Sequence, residues 1–202
     1  MTRIFSRAGL GNCVVLCALL LGGCAIAPVS TRNEAPPTRD TLAAFSLEGR
    51  FSLLSEGKSY SGRLSWRHAG ASNELLLSSP LGQGMAEIST SENGARLTSG
   101  DGKVSTAADA ETLTLQVLGY SLPLAQLTDW VRGRNSGIGQ VEPDAFGRPL
   151  RVRHEDWRIE YGYGDDDPQA APNRVFAQRI GGIDLRLSID EWTSLPSEGQ
   201  AP

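Results

Sequence analysis

Two successive segments alternate strictly between apolar and polar residues, and this alternation constrains the fold more than any other feature of the chain. The apolar positions of the first segment are Phe45, Leu47, Gly49, Phe51 and Leu53. Those of the second are Tyr60, Gly62, Leu64 and Trp66. A period of two is typical of strands with one apolar and one wet face. The turn Glu56-Gly57-Lys58 between them predicts an antiparallel hairpin.

Further short segments, some alternating and others apolar runs bounded by turn residues, predict a larger sheet. We expect strands at residues 74–79, 85–89, 95–99 and 103–106, and again at 150–154, 157–163, 175–179 and 183–190. Gly49 and Gly62 interrupt apolar faces, and glycine within a strand is typical of a bend or a close approach of two backbones. The sheet is therefore expected to be sharply curved.

Between the two groups of strands the apolar period changes to three and four residues. Asp109 is a suitable N-cap for a first helix, which Gly119 ends. Pro123 suits the first turn of a second helix, which Gly133 ends. Residues 133–147 read as a long loop. The fold class predicted is α+β and mainly β: a curved antiparallel sheet with short helices against one face.

The N-terminus has the features of a secretory signal. Arg3 and Arg7 precede an apolar run at residues 13–21, which is about half as long as a membrane-spanning helix. The run ends in Leu21-Gly22-Gly23-Cys24, which resembles the lipobox of bacterial lipoproteins. We therefore predict cleavage before Cys24 and lipidation of that cysteine. The alternative is an ordinary secretory signal followed by an unrelated cysteine.

This assignment divides the chain into three parts: a signal peptide at 1–23, a lipidated N-terminus and flexible tether at 24–40, and a single domain at 41–202. The tether is expected because Pro28, Pro36 and Pro37 lie in a stretch without apolar periodicity. Cys13 and Cys17 leave with the signal, so the mature domain must fold without a disulfide. The acyl chains of Cys24 would anchor the protein to the membrane.

Composition argues against several classes of function. The formal net charge is −4, and the removed signal carries two arginines and no acid, so the mature chain is acidic. An acidic chain without a basic cluster is not typical of a nucleic-acid-binding protein. His68 and His154 are isolated in sequence and are expected at the surface, and we predict no catalytic residues, no metal site and no cofactor. Paired carboxylates, and with them a hydrolase, remain an open alternative.

The order of several short motifs resembles the LolA/LolB-like family of lipoprotein localisation proteins. The motifs are Gly49-x-Phe51, Gly62-Arg63-Leu64-x-Trp66, Ser79-Pro80-Leu81-Gly82, Leu122-Pro123-Leu124 through Trp130-Val131-x-Gly133, Trp157-x-Ile159-x-Tyr161 and Ile189-Asp190-x-Trp192. Residues His154-Glu155-Asp156 depart from the glutamine and glycine or asparagine turn that family members often have there.

The resemblance implies an incomplete barrel whose helices form a lid over an apolar cavity for acyl chains. It also implies a monomer that takes acylated lipoproteins from a periplasmic carrier like LolA and inserts them into the outer membrane, with no nucleotide hydrolysis. Ala25, in the place where aspartate would retain a lipoprotein in the inner membrane, implies the periplasmic face of the outer membrane.

The resemblance and the apolar pattern together nominate two sets of site residues. We expect the acyl-chain cavity to be lined or closed by Phe51, Leu64, Trp66, Leu113, Leu127 and Trp130, although plain core packing would use the same residue types. Leu81, between Pro80 and Gly82, is expected to project from a loop into lipid. The competing hypothesis for the whole protein is a structural or assembly lipoprotein that binds a partner protein through its sheet edge.

Overall fold

The computed structural model describes residues 37–134 and 139–196. The predicted signal peptide, Cys24 and the tether up to residue 36 lie outside the described residues. Within the described ranges the chain forms strands, two short helices and more strands, in the predicted order.

Eleven strands form one antiparallel sheet in the described part of the chain. They are β1 (Phe45–Ser55), β2 (Lys58–Ala69), β3 (Ser72–Ser78), β4 (Gly84–Ser91), β5 (Gly94–Ser99), β6 (Val104–Ala107), β7 (Gln140–Pro143), β8 (Pro149–His154), β9 (Trp157–Gly162), β10 (Arg174–Arg179) and β11 (Ile183–Ser194). The order across the sheet is β6-β5-β4-β3-β2-β1-β11-β10-β9-β8-β7. The two halves of the chain therefore meet where β1 pairs with β11, and β6 and β7 are the open edges.

The helices α1 (Ala110–Leu118) and α2 (Leu124–Val131) connect the two halves. The backbone N–H of Thr112 donates to Asp109 Oδ1 at 2.7 Å, which caps the start of α1 as expected. Gly119 ends α1 in the left-handed conformation, with φ of 85°. The α+β, mainly β class is confirmed.

One strand was missed by the sequence interpretation. Residues 133–147 were expected to form a loop, but β7 lies within them and pairs with β8. All four residues of β7 are exposed, because it is an edge strand with neither face buried. It therefore carries no apolar alternation, which is the signal that reveals the other strands.

The position of α2 shows that the sheet is strongly curved. Thr128 Oγ1 lies 3.4 Å from Asn73 Oδ1 on β3, and the ring of Trp130 lies 5.4 Å from that of Trp157 on β9. Strands β3 and β9 are five places apart, which is about 24 Å across a flat sheet. Two side chains of one short helix reach both, so the sheet must curl around the helix.

The connections between strands fall at two ends of the sheet. The chain enters β1 at Phe45, which pairs with His68 and Ser194, and we call this the entry end. The opposite end, here the tip end, carries the β1–β2, β3–β4, β5–β6, β8–β9 and β10–β11 turns, as the strand registers require. Thr38 makes a β-bridge with Ala170 at the entry end.

Gly49 and Gly62 lie at close approaches of neighbouring strands, as the sequence predicted. A Cβ atom on Gly62 would overlap the carbonyl oxygen of Ser78 and press on the ring of Phe51. A Cβ on Gly49 would overlap the carbonyl oxygen of Ser188, at a shift of register between β1 and β11. The absent side chains let the sheet bend inward at these points.

We predict that Gly62→Ala lowers the free energy of unfolding by about 1–3 kcal/mol, because backbone and the Phe51 ring must move to admit the methyl group. Gly84→Ala is the matched control, since a Cβ there meets no atom within 4 Å. Its effect should stay within about 0.5 kcal/mol. Urea unfolding of the two variants measures the difference, and equal stabilities would refute the close-approach account.

Candidate functional site

The inner face of the sheet and the two helices enclose one apolar cluster. All six residues expected at the cavity are buried members of it: Phe51, Leu64, Trp66, Leu113, Leu127 and Trp130. Three come from β1 and β2, one from α1 and two from α2. The structure therefore brings the predicted residues together, with the helices packed against the sheet. A packed core and an acyl-chain binding site share this composition.

A polar hub lies inside this apolar cluster, at Asn73 on β3. The indole Nε1 of Trp66 donates to Asn73 Oδ1 at 3.0 Å, and His68 Nδ1 lies 3.0 Å from the same oxygen. Asn73 Nδ2 donates to Thr90 Oγ1 at 3.1 Å. With Thr128 also beside Oδ1, this amide links three strands and α2.

The expectation that His68 lies at the surface is wrong. His68 is buried, and its ring centroid lies 5.2 Å from that of Phe45. It is in phase with Leu64 and Trp66, so the alternation itself places it on the inner face. Its neighbours in sequence gave no indication that the buried amide of Asn73 would pair with it. Asn73 was not singled out at all, although it too is in phase with the buried Leu75.

Burial lowers the pKa of His68 below its ordinary value. The nearby guanidinium of Arg132 lowers the pKa further, while the hydrogen bond with Asn73 and the carboxylate of Asp129 oppose this. Because Asn73 Oδ1 can only accept, the neutral imidazole must carry its proton on Nδ1. Burial is the largest of these effects and favours the neutral imidazole.

A buried arginine ties the end of α2 to the segment that precedes β1. Arg132 Nε donates to the carbonyl oxygen of Thr128, and one guanidinium nitrogen donates to that of Leu42, both at 2.9 Å. The other pairs with Asp129 at 2.5 Å. The guanidinium carbon lies 5.8 Å from the centroid of Phe45. Cationic donors at a helix C-terminus satisfy its last carbonyl groups, and here they also fix the helix to the entry end.

Two phenol hydroxyls have no hydrogen-bond partner among the described residues: those of Tyr161, a buried member of the apolar cluster, and Tyr120, which packs against the cluster. Burial raises the pKa of Tyr120 to about 12 and that of Tyr161 further still, so both stay protonated. An unpaired buried hydroxyl is costly, and each is free to donate to a carbonyl oxygen.

Leu81 does not join the buried cluster. It lies in the β3–β4 connection at the tip end, and 92% of it is exposed. The connection is held by two backbone hydrogen bonds: Ser79 N–H donates to the carbonyl of Gln83, and Gly82 N–H to that of Ser79, both at 2.8 Å. Gly82 has φ of 85°, which closes the turn. A rigid turn therefore presents one large apolar side chain to its surroundings.

Other kinds of site find no support in the part of the chain that the structure describes. Residues 37–134 and 139–196 contain no group of three or more His, Cys, Asp or Glu placed to hold a metal ion. Within the same ranges, neither helix has the length and apolar character needed to cross a bilayer. In the acidic turn, the backbone carbonyl oxygens of Asp165 and Asp167 both accept hydrogen bonds from the guanidinium of Arg148.

The sequence is similar to proteins of known family. A family model described as outer membrane lipoprotein LolB matches residues 43–192. The chain is 41% identical over 188 residues to the outer-membrane lipoprotein LolB of Dechloromonas aromatica, covering 91% of this chain and 97% of that protein. It is 38% identical over 183 residues to that of Thiobacillus denitrificans, with 89% and 95% covered. A solved LolA superfamily protein from Nitrosomonas europaea aligns with a TM-score of 0.44 at 9% identity, covering 78% and 90% of the two chains.

We predict that stability depends on the protonation of His68. The unfolded chain binds a proton at this residue at a pKa of about 6.5, before the folded chain does. The free energy of unfolding is therefore greatest above that pH and falls as the pH decreases toward the lowered folded pKa, by up to about 1.4 kcal/mol per pH unit. In His68→Gln, which keeps a donor for Asn73, this part of the decrease should vanish. Urea unfolding at several pH values measures it, and identical pH profiles for the two proteins would contradict the prediction.

Proposed function

The chain belongs to the LolB family of outer-membrane lipoproteins, and from that premise we propose that it receives acylated lipoproteins and inserts them into the outer membrane. The donor would be a periplasmic carrier like LolA, and the step would involve no catalysis. The observation that supports this proposal is the apolar inner face of an open sheet, against which two short helices pack.

The covering helices are suited to be displaced by acyl chains. Helix α2 has eight residues, and no side chain caps its N-terminus. A helix of this length is unstable alone in water, so its packing against the sheet keeps it folded. An acyl chain can cover the same inner face with apolar surface. Replacement of the helices by the chain therefore leaves little of that face exposed to water. In this proposal α1 and α2 are the lid, and the six clustered residues become the acyl-chain cavity when it opens.

The unpaired phenols give the proposed cavity a polar contact. Acyl chains of a lipoprotein are joined through ester and amide groups, whose carbonyl oxygens accept hydrogen bonds. Tyr161 and Tyr120 can donate to such an oxygen, which would satisfy hydroxyls that lack a partner in the packed state. Transfer then needs only successively higher affinity along the route from carrier to receptor to bilayer, because a ligand moves by differences in affinity.

Cys24 is the proposed lipid anchor, and the domain boundaries follow from it: signal peptide 1–23, tether from Cys24, and one folded domain. The β-bridge of Thr38 and the buried Leu42 suggest that the folded domain begins a few residues before 41. We predict that Cys24→Ser abolishes lipidation, since sulfur accepts the first lipid, and leaves the fold intact. Mass spectrometry of the mature N-terminal peptide and membrane fractionation test this; a variant still processed and still membrane-bound would exclude Cys24 as the anchor.

The alternative role, binding of a partner protein through a sheet edge, has less support. Both edge strands, β6 and β7, are only four residues long. Short edge strands are a common means of preventing strand addition, and a partner would gain few backbone hydrogen bonds from them. The inner face, by contrast, carries the buried apolar cluster.

We predict that Trp130→Glu reduces uptake of acylated lipoprotein from the carrier by at least about tenfold, because a carboxylate in the cavity disfavours an acyl chain by more than 1.4 kcal/mol. Leu115→Glu is the matched control, since Leu115 is exposed on α1 and should not alter uptake. Carrier-to-receptor transfer is measured beside circular dichroism and urea unfolding. A folded Trp130→Glu protein with normal uptake would remove Trp130 from the cavity, and loss of folding would mark it as core.

We predict that Leu81→Glu separates receipt of cargo from its insertion. The side chain is almost fully exposed, so folding and uptake should be unchanged. Burying a leucine in lipid contributes about 1.5–3 kcal/mol, which is lost when glutamate replaces it. Insertion into vesicles should therefore be slower while uptake from the carrier is normal. Normal insertion, or an unfolded variant, would show that Leu81 does not act as a membrane-contacting tip.

A further inference from the structure

A second apolar side chain is exposed at the tip end of the sheet, at Ile180. It is 82% exposed, close to the 92% of Leu81, whereas the other exposed large apolar residues in the described ranges do not exceed 53%. Partly exposed apolar side chains are normal on any protein surface. Leu81 and Ile180 differ from such residues because both are almost wholly exposed and both lie on turns at the same end of the sheet.

The turn that carries Ile180 resembles the Leu81 turn in construction. Gly181 and Gly182 follow Ile180, with φ of 114° and 104°. Gly182 N–H donates to the carbonyl of Arg179 at 3.2 Å, which closes the turn. Ile180 N–H donates to the carbonyl of Asp156 at 2.9 Å, which fixes it to the neighbouring β8–β9 turn. Ile180 is therefore held outward by ordered backbone.

Strand registers place Ile180 and Leu81 at the same end. Ser55 at the end of β1 pairs with Ile183, directly after the Ile180 turn. Ser55 also pairs with Lys58 at the start of β2. Farther along β2, Arg63 pairs with Ser78, the last residue of β3 before the Leu81 connection. The two turns are four strand spacings apart, or about 19 Å measured along the sheet.

The charges around the two tips do not favour an ionic partner. Residues 78–86, which contain Leu81, include no charged side chain. Near Ile180 three arginines are balanced by three acids in one shallow depression, at Arg153, Arg158, Arg179, Glu155, Asp156 and Asp184. Arg179 is paired with Asp156 at 2.5 Å. Two isolated apolar side chains on a neutral end fit the hydrocarbon of a bilayer, which needs neither a shaped pocket nor a counter-charge.

We propose that Ile180 is a second membrane-contacting residue, so that the tip end docks on the bilayer at two points. This inference rests on the membrane contact of Leu81 in the proposed function. One inserted side chain leaves the domain free to pivot, whereas two inserted side chains on separate turns restrict its tilt. The axis of the sheet is then held steeply to the membrane plane while cargo leaves the inner face.

The experiment uses the full mature, lipidated protein in phosphatidylcholine vesicles that contain brominated lipid. Cys24 is the only cysteine of the mature chain and carries the lipid, so a single introduced cysteine can be labelled with an environment-sensitive fluorophore. The labelled variants are Ile180→Cys, Leu81→Cys and, as matched control, Ala71→Cys in the exposed β2–β3 turn at the entry end. Brominated lipid should quench the label at 180 and at 81 but not at 71, and added salt should leave the quenching unchanged.

An unlabelled readout accompanies the quenching. Ile180→Ser should slow insertion of cargo by about tenfold, with uptake from the carrier unchanged, while Ile180→Val should remain near the wild-type rate. Quenching at 81 without quenching at 180 would overturn this inference and leave the proposed function intact. Quenching at neither position would overturn both the inference and the role of Leu81. Equal quenching at 71 would show that the label itself enters lipid, and a normal insertion rate for Ile180→Ser would then reject the proposal.

Discussion

The apolar inner face of a sheet that does not close is the constraint on which the rest of this structure depends. In a closed barrel the opposite strands cover one another, but here β6 and β7 are separate edges and the interior must be covered by something else. Helices α1 and α2 provide that cover. The dependence is mutual, because an eight-residue helix is stable only while it is packed. Any molecule that replaces the helices must therefore be as apolar as they are.

The polar hub at Asn73 gives this otherwise non-directional packing a defined position. Burial alone would let α2 slide over the inner face, whereas the hub aligns Thr128 with one residue of β3. Arg132, one turn later at the C-terminal end of the helix, does the same through the carbonyl oxygen of Leu42. These few bonds contribute little net free energy each, but an unpaired buried amide would be costly. The lid is thus specified at two points and otherwise held by apolar contact.

The sequence predicted the parts of the fold in which one face is buried. Alternation, or a short segment bounded by turn residues, revealed every strand with an inner face, and the glycines on β1 and β2 predicted the curvature of the sheet. The edge strand β7 carries no such signal, and His68 was misplaced because its residue type outweighed its phase. The six clustered residues were identified by type and phase, yet no pattern of residues states whether an apolar cluster is packed or open. Ile180 was not recognised either: the strands expected at 175–179 and 183–190 leave it in a turn, but the sequence does not state whether an apolar residue of a turn packs inward or projects.

The chain enters the sheet at the end opposite to Leu81, and this sets a requirement on length. Strand β1 has 11 residues, so the distance from entry end to tip end is about 36 Å. Cys24 and Pro37, where the described chain begins, are thirteen residue steps apart, and these can span at most about 47 Å. An anchor at Cys24 and a tip in the same bilayer are compatible only because the second distance exceeds the first. If Cys24 is the lipid anchor, as proposed, the number of residues between it and the folded domain sets whether the tip end can reach the bilayer that holds the anchor.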